Sequence, residues 1–520
     1  MKYKSKTNGG ITLIALVITI IILLILAGIT ISLMIGENGL LKRAEEGKNA
    51  HEMGMANDIN EMNKATEYIN KYNTGTDGTG GNEGNQIEAD GRWNGEVNTP
   101  KLMGEMKGIY WDEEGKEVEV TQENARNWYN YEEQKWANAK TKDGSYWVWI
   151  PRYEYKITGE TVEIKFIPKT VTEAEEGYSY VHPAFRDGRS NNYMNGEWDE
   201  ELEGFWVAKY AAGFQASTTD ESGAVINAED EIIYSDKSYT SYNSTYTANA
   251  ISQNLSSNDS KEKITYPVFK PLTYAYNIIS TGDSYTIAGE IDKAESFYGI
   301  KEEETDSHMM KNSEWGAVAY LTQSRYGRNG EEVVINSKNL NNSSKRIYAV
   351  TGYEGSNIAN GEGASSTKNR SGVYDLSGCI WEYVAGYITN GNINLERNGK
   401  SYVAKTTRDG EGYKTLSTRN ATVYPYNPGS DGYGNNWTRY KELRTETYGY
   451  GDAVLETSTG GNGSTSWHGA LSRFPGSSAP FFMRGGCYDN GTSAGTFAFL
   501  FTYGSPHYYF YGFRAVLCAE

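Results

Sequence analysis

Hydrophobic and polar positions follow three different patterns along the chain, and each predicts a different kind of element. From Ile11 to Ile35 the chain is apolar and carries no charge, long enough as a helix to cross a hydrocarbon core of about 30 Å. Lys2, Lys4 and Lys6 stand ahead of it, and basic residues keep that end cytoplasmic, so everything after Gly36 is expected outside. Met55, Ile59, Met62, Thr66 and Ile69 then recur at spacings of four and three. That is one helical face, which predicts a stalk continuing the membrane helix. Gly36, Gly39, Gly47 and Gly54 weaken it near the membrane. "NTGTDGTGGNEGN" (Asn73 to Asn85) has the composition of a flexible linker, and a domain boundary is expected there.

Past Arg92 the helical period disappears. Short runs such as "YWVWIPRYEYKI" (Tyr146 to Ile157) and "GFWVAKYAAGF" (Gly204 to Phe214) alternate with Gly, Asn and Ser turns. This pattern predicts one large α+β domain with irregular connections. Ala216 to Ser260 and Tyr413 to Ser466 are polar, and both are expected to be surface excursions rather than core.

Composition narrows the function. A net charge of -18 argues against nucleic acid as a partner, because phosphates need Lys and Arg. With 42 Tyr, 12 Trp and 58 Gly against 11 Pro, the chain reads as aromatic-packed and rich in strands and turns. Cys379, Cys487 and Cys518 form neither a disulfide framework nor a C-x-x-C site. None of the five histidines pairs with another at ligand spacing, so no metal or cofactor is expected. Trp147, Trp149, Trp206, Trp315 and Trp381 are expected in the core, and Glu382 in a structural hydrogen bond or ion pair. Glu173, Glu175 and Glu176 read as a solvated face, and the Asn243 to Thr245 triplet as a chance match in an Asn-rich chain.

The N-terminal wording "KTNGGITLIALVITIIILLILAGITISL" resembles the prepilin leader of type IV pilin-like proteins, in which a peptidase cuts after a glycine and the new N-terminus is methylated. The resemblance implies a cut between Gly10 and Ile11. Pilins usually have a glutamate five residues into the mature chain, where this sequence has Ala15. That departure bears against assembly into a regular filament, and a plain membrane anchor is the other reading. The expected division is a leader over 1–10, a transmembrane helix and stalk over 11–73, a linker over 74–92 and a display domain over 93–520.

Within that domain "NSEWGAVAYLTQSRYG" (Asn312 to Gly327), "SGVYDLSGCIWEYVAGY" (Ser371 to Tyr387), "MRGGCYDNGTSAGTFAF" (Met483 to Phe499) and the terminal "GFRAVL" follow one another. They resemble, in this order, the phrases of the formylglycine-generating-enzyme type of C-type lectin fold, with a core over about 145–517. The oxidases of that family use two closely spaced cysteines near the C-terminus to hold copper, and its iron-dependent relatives need a histidine cluster. Neither pattern is present, and a fold does not bring its activity with it. Catalysis is not expected.

The same phrases resemble more closely the variable proteins of diversity-generating retroelements, which use this fold to hold a hypervariable ligand-binding face. In that family the codons of a C-terminal segment are mutagenised at templated adenines. The fixed parts here are Arg484, Gly485 and Gly486, then Ala494, Gly495, Phe497, Ala498 and Phe499, then Gly512, Phe513, Arg514 and Ala515. Changing the first two bases of an Asn codon reaches Phe, Tyr, His, Asp, Cys, Leu, Ser and Thr but not Trp, Lys, Glu, Gln or Met. From Phe481 to Cys518 there is no Trp, Lys, Glu or Gln, and the one Met, Met483, adjoins a fixed motif.

The variable segment is therefore placed at about 481–511. Phe481, Cys487, Tyr488, Asp489, Phe501, Tyr503, His507, Tyr508, Tyr509, Phe510 and Tyr511 are expected to share one exposed patch. Arg484, Phe497, Phe499, Phe513 and Arg514 are expected to be scaffold. In "HYYFY" (His507 to Tyr511) alternate side chains of any strand go to opposite faces, so several must be exposed. The expected role is non-catalytic binding of a protein or glycan at the bacterial cell surface, with the chain anchored in the membrane by its N-terminal helix. A pilin-like structural subunit that contacts other subunits is the alternative, and an oxidase a more distant one.

Overall fold

The structure, a computed structural model, describes residues 97–519 except 188–197, 215–233, 240–245, 250–265, 278, 342–346, 404–415, 418–420, 444–449 and 507. The apolar run Ile11 to Ile35, the processing pair Gly10 and Ile11, the stalk and the linker all lie outside the described residues. No helix among the described residues is long and apolar enough to cross a membrane. By its contacts the chain divides into two units, Met1–Asn85 and Gln86–Glu520, and every described residue belongs to the second.

That second unit is a mixed α+β body built on two large sheets with few helices. In the first sheet the order is Thr305–Met309, Ala515–Ala519, Gly204–Ala208, Tyr146–Pro151, Asn138–Lys140, Lys107–Trp111 and Glu117–Glu119, antiparallel throughout. Every residue of Gly204–Ala208 is buried. A strand covered on both faces has no reason to alternate, which is why "GFWVA" is continuously apolar. The second sheet centres on Trp381–Ile388, which pairs antiparallel with Phe481–Gly485 and parallel with both Thr422–Tyr424 and Tyr511–Phe513. Gly495–Thr502 lies on the far side of Phe481–Gly485. The helix Asn312–Gln323 is buried along its whole length, and the Trp315 indole donates to the Thr496 carbonyl at 2.8 Å.

The C-terminus joins the two sheets. Tyr511–Phe513 belongs to the second and Ala515–Ala519 to the first, between Thr305–Met309 and Gly204–Ala208, with Arg514 linking the two segments. Arg514 is fully buried, and its Nε and Nη2 donate to the two oxygens of Glu382 at 2.8 and 2.6 Å. Nη1 donates to the Ala208 carbonyl and Nη2 also to that of Tyr374. Glu382 thus has the structural ion pair expected of it, and Trp147, Trp149, Trp206, Trp315 and Trp381 are all buried.

Two expectations are corrected. Tyr413 to Ser466 is not a surface excursion: Trp437 and Tyr440 of the helix Tyr433–Leu443 are buried, and so are Asp452, Ala453, Val454 and Leu455. Asp452 looks polar in sequence, but its carboxylate accepts from the Tyr424 and Tyr440 hydroxyls at 2.9 Å each, which makes a buried acid tolerable. The packed body also begins well before Ser145, since Val97, Met103, Trp128, Tyr131 and Trp136 are buried with the rest. Of Ala216 to Ser260, the described part is an antiparallel pair, Tyr234–Tyr239 with Tyr246–Asn249.

Candidate ligand-binding face

The residues expected to be scaffold are all buried: Arg484, Phe497, Phe499, Phe513 and Arg514. Arg484 donates to the carbonyls of Asp452 and Ala453 at 3.1 Å each and lies over the rings of Trp315 and Phe499. Burial lowers its pKa to about 10, against the pull of Asp452. The two glycines after it turn the chain with φ of +86° and +89°, a region that L side chains rarely occupy. A Cβ on Gly486 would also come within 2.5 Å of the Ala494 Cβ. The R-G-G phrase is therefore a buried cation followed by a left-handed turn.

Beyond strand Gly495–Thr502 the chain crosses the end of the second sheet and returns at Tyr511. Three side chains and two backbone amides from elsewhere hold this crossing, and every one donates to a main-chain carbonyl. Asn398 donates to Tyr503 at 2.6 Å, the Thr281 amide to Gly504 at 3.0 Å and the Tyr383 hydroxyl to Ser505 at 3.1 Å. Asn277 donates to Tyr509 at 2.6 Å and the Trp381 amide to Phe510 at 2.9 Å. Ser401, which donates to Gly282, steadies the start of the helix Thr281–Ala288 beside them. The loop is thus held through carbonyls that any residue would supply.

Of the residues expected to form the patch, Asp489, Tyr503 and Tyr508 are exposed, and Phe501, Tyr509, Phe510 and Tyr511 are half-buried. His507 lies outside the described residues. The rings of Tyr508, Tyr509, Phe510 and Tyr511 form one cluster: Tyr508 and Phe510 each lie with centroids 4.8 Å from Tyr511, and Tyr509 meets Phe510 edge-on at 5.2 Å. Tyr511 packs inward on Tyr383 at 5.7 Å. Its hydroxyl also feels Tyr508, Cys487 and Tyr503, and burial raises its pKa. Tyr503 therefore belongs to the same neighbourhood.

Phe481, Cys487 and Tyr488 are not part of an exposed patch. Phe481 is fully buried in its strand between Tyr387 and Thr502, with its ring beneath Gly504, where φ is +73° and a Cβ would come within 2.7 Å of it. Cys487 is 2% exposed because the turn after Gly486 folds back on itself: its amide donates to Asn490 Oδ1 at 2.9 Å, and its thiol donates to Asp489 at 3.0 Å. Burial first and that carboxylate second push the thiol's pKa up, so it stays protonated and is a poor nucleophile. Tyr488 is 7% exposed, its amide donating to the Cys379 carbonyl at 3.0 Å and its hydroxyl bonded to Tyr509. It supports the aromatic cluster from below.

No protein-family model matches this chain, and no curated protein matches it significantly. The reading of the face accordingly rests on geometry. Sequence reasoning missed Tyr433, which stacks on Phe501 with centroids 3.9 Å apart and ring planes within 9°. Nothing in "DGYGNNW" (Asp431 to Trp437) signals this contact. Two clefts, of about 370 and 580 Å³, lie elsewhere, one lined by Tyr110, Trp111 and Arg370 and the other by Ile164, Arg325 and Tyr326. Neither includes a residue of the patch. Among the described residues no group of three or more His, Cys, Asp or Glu side chains is placed to hold a metal ion.

Proposed function

We propose that the chain is a non-catalytic binding protein that presents the Tyr503 and Tyr508 to Tyr511 face to a protein or glycan ligand. On this reading the domain is of the C-type lectin-like, formylglycine-generating-enzyme type, diversified at its C-terminal segment by a retroelement. It is carried at the bacterial surface by a pilin-like membrane helix. One observation carries the proposal. The loop from Tyr503 to Phe510 is tied down through its main-chain carbonyls, while its aromatic side chains lie exposed or half-buried at the surface. A segment built this way can change side chains without losing its path. Tyr and Phe also give large contact area with few rotors to freeze, which suits a binding loop.

The test is a paired screen of the full chain in detergent micelles against immobilised glycans and phage-displayed peptides. A variant with Tyr503, Tyr508 and Tyr509 changed to Ser is screened alongside. The parent is expected to capture ligands that the variant loses, with the melting temperature lowered only slightly. Ligands held equally by both proteins would refute the assignment of the face.

A further inference from the structure

The cleft beside Tyr110 and Trp111 lies where two strands of the first sheet part. Lys107–Trp111 pairs with Asn138–Lys140 only from Lys107 to Ile109, while on its other side it keeps pairing with Glu117–Glu119 as far as Trp111. Hydrogen-bonding direction alternates along an antiparallel strand. The Gly108 carbonyl and the Asp112 amide bond toward the Glu117–Glu119 arm, to Val120 and Lys116 at 2.8 and 3.0 Å. The main-chain N–H and C=O of Trp111 therefore point the other way, into the gap. The residue that would continue the ladder there is Trp136, and its amide donates instead to the Ser371 hydroxyl at 2.8 Å. A donor and an acceptor of one residue are thus left facing the cleft.

The walls are fixed and aromatic. The Trp128 and Trp136 indoles spend their N–H groups on the carbonyls of Asn138 and Tyr326, at 2.8 Å each, and line the cleft with carbon. Trp111 stacks on Tyr146 with centroids 6.3 Å apart, and the buried Lys209 ammonium sits 4.7 Å from its ring centre. That ammonium donates to Asn138 Oδ1 and to the carbonyls of Arg370 and Gly372, so it holds the wall and has no proton left to offer a ligand. On the rim stand Asn127, the hairpin turn with Asp112, Glu113 and Glu114, and Arg370, whose Nη1 donates to the Gly115 carbonyl at 2.8 Å.

We propose that this cleft is a second binding site, apart from the aromatic face, and that it takes one neutral pyranose unit of a saccharide. At about 370 Å³ it is of the size of small-ligand sites. An anion would meet the three carboxylates of the turn, and a cation would meet Arg370 and the ammonium already lodged against Trp111. Hydroxyls are served by both signs. They also donate and accept, as the two Trp111 main-chain groups require, whereas a hydrocarbon would leave those groups desolvated and unpaired. The C–H bonds of a pyranose face carry slight positive charge and lie well against the negative face of an aromatic ring. The half-buried rings of Tyr110 and Trp111 offer that contact.

Saturation-transfer NMR on the full chain, in micelles of a sugar-free detergent, tests the site with free glucose, galactose, mannose and N-acetylglucosamine. Choline and glucuronate serve as charged controls, and each binder is titrated. At least one neutral sugar is expected to bind the parent. Trp111→Ala should weaken it by about tenfold or more, and Asn127→Ala and Arg370→Gln, at exposed positions, by about fivefold each. The variant with Tyr503, Tyr508 and Tyr509 changed to Ser should bind as the parent does. Should Trp111→Ala also lower the melting temperature, the two exposed positions decide the matter. A parent that binds no sugar, or binding indifferent to both Asn127→Ala and Arg370→Gln, would overturn the site. Sugar lost only in the triple Tyr variant would place the saccharide on the aromatic face and overturn the cleft. Choline or glucuronate bound in place of the neutral sugars would overturn the ligand chemistry.

Discussion

Arg514 and Glu382 show how one residue pair can decide a fold. Both are fully buried, and the carboxylate takes two guanidinium hydrogen bonds at the point where the chain leaves one sheet for the other. Removing one partner leaves a buried charge unpaired, which costs about 3 to 5 kcal/mol. Arg514→Gln is expected to lower the unfolding free energy by that amount in urea titrations. The double variant Arg514→Gln with Glu382→Gln should recover part of it, because no charge is then stranded. Equal losses in single and double variants would mean the pair is not coupled. The role of Glu382 was legible from its place in "GCIWEYV", whereas the burial of Phe481, Cys487 and Tyr488 was not. Those three look like their exposed neighbours in composition, and only the helix, the turn and the strand that cover them make the difference.

Among the elements, the Tyr413 to Ser466 stretch departs most from its sequence. Its polarity hides a strand of the second sheet, a helix with a buried Trp–Tyr face, and the carbonyls on which Arg484 depends. Replacing residues 413–466 by a short Gly-Ser linker should therefore abolish cooperative thermal unfolding, measured by circular dichroism. The guanidinium of Arg484 would be left buried without its two carbonyl acceptors, beside the cavity where Ala453, Val454 and Leu455 had packed. A cooperative transition in that deletion would restore the reading of the stretch as an excursion.

Across the whole body, two buried histidines act on stability with opposite signs. Burial opposes charge on His308, but Glu314 and Asp306 outweigh it and raise its pKa to about 9 from an ordinary 6.5. A raised histidine contributes fully below pH 6.5 and loses its contribution as pH climbs through about 9. His182 is enclosed by the rings of Tyr153, Tyr155, Phe185 and Tyr320, and burial lowers its pKa to about 3. Its contribution is complete above pH 6.5 and is lost as pH falls toward about 3. Urea titrations are expected to show stability falling by about 2 kcal/mol between neutral pH and about pH 9. A flat alkaline limb would mean that His308 is uncharged in the folded chain.

Local order was readable directly from the chain. Continuous apolar runs mark strands covered on both faces, paired glycines mark a left-handed turn, and alternation in "TFAFLF" points Phe497 and Phe499 inward. These follow from backbone period and steric limits, which act over a few residues. What the tertiary structure decided is which of many similar aromatic residues is covered. Phe481 and Tyr508 are both aromatic residues of one segment, yet one lies under Gly504 and the other at the surface. Tyr433 reaches Phe501 only because the helix that carries it is moored to the body through Trp437, Tyr440 and Asp431. Burial is set by contacts between residues distant in the chain, and those depend on how the sheets and helices close on one another rather than on any property of the residue itself.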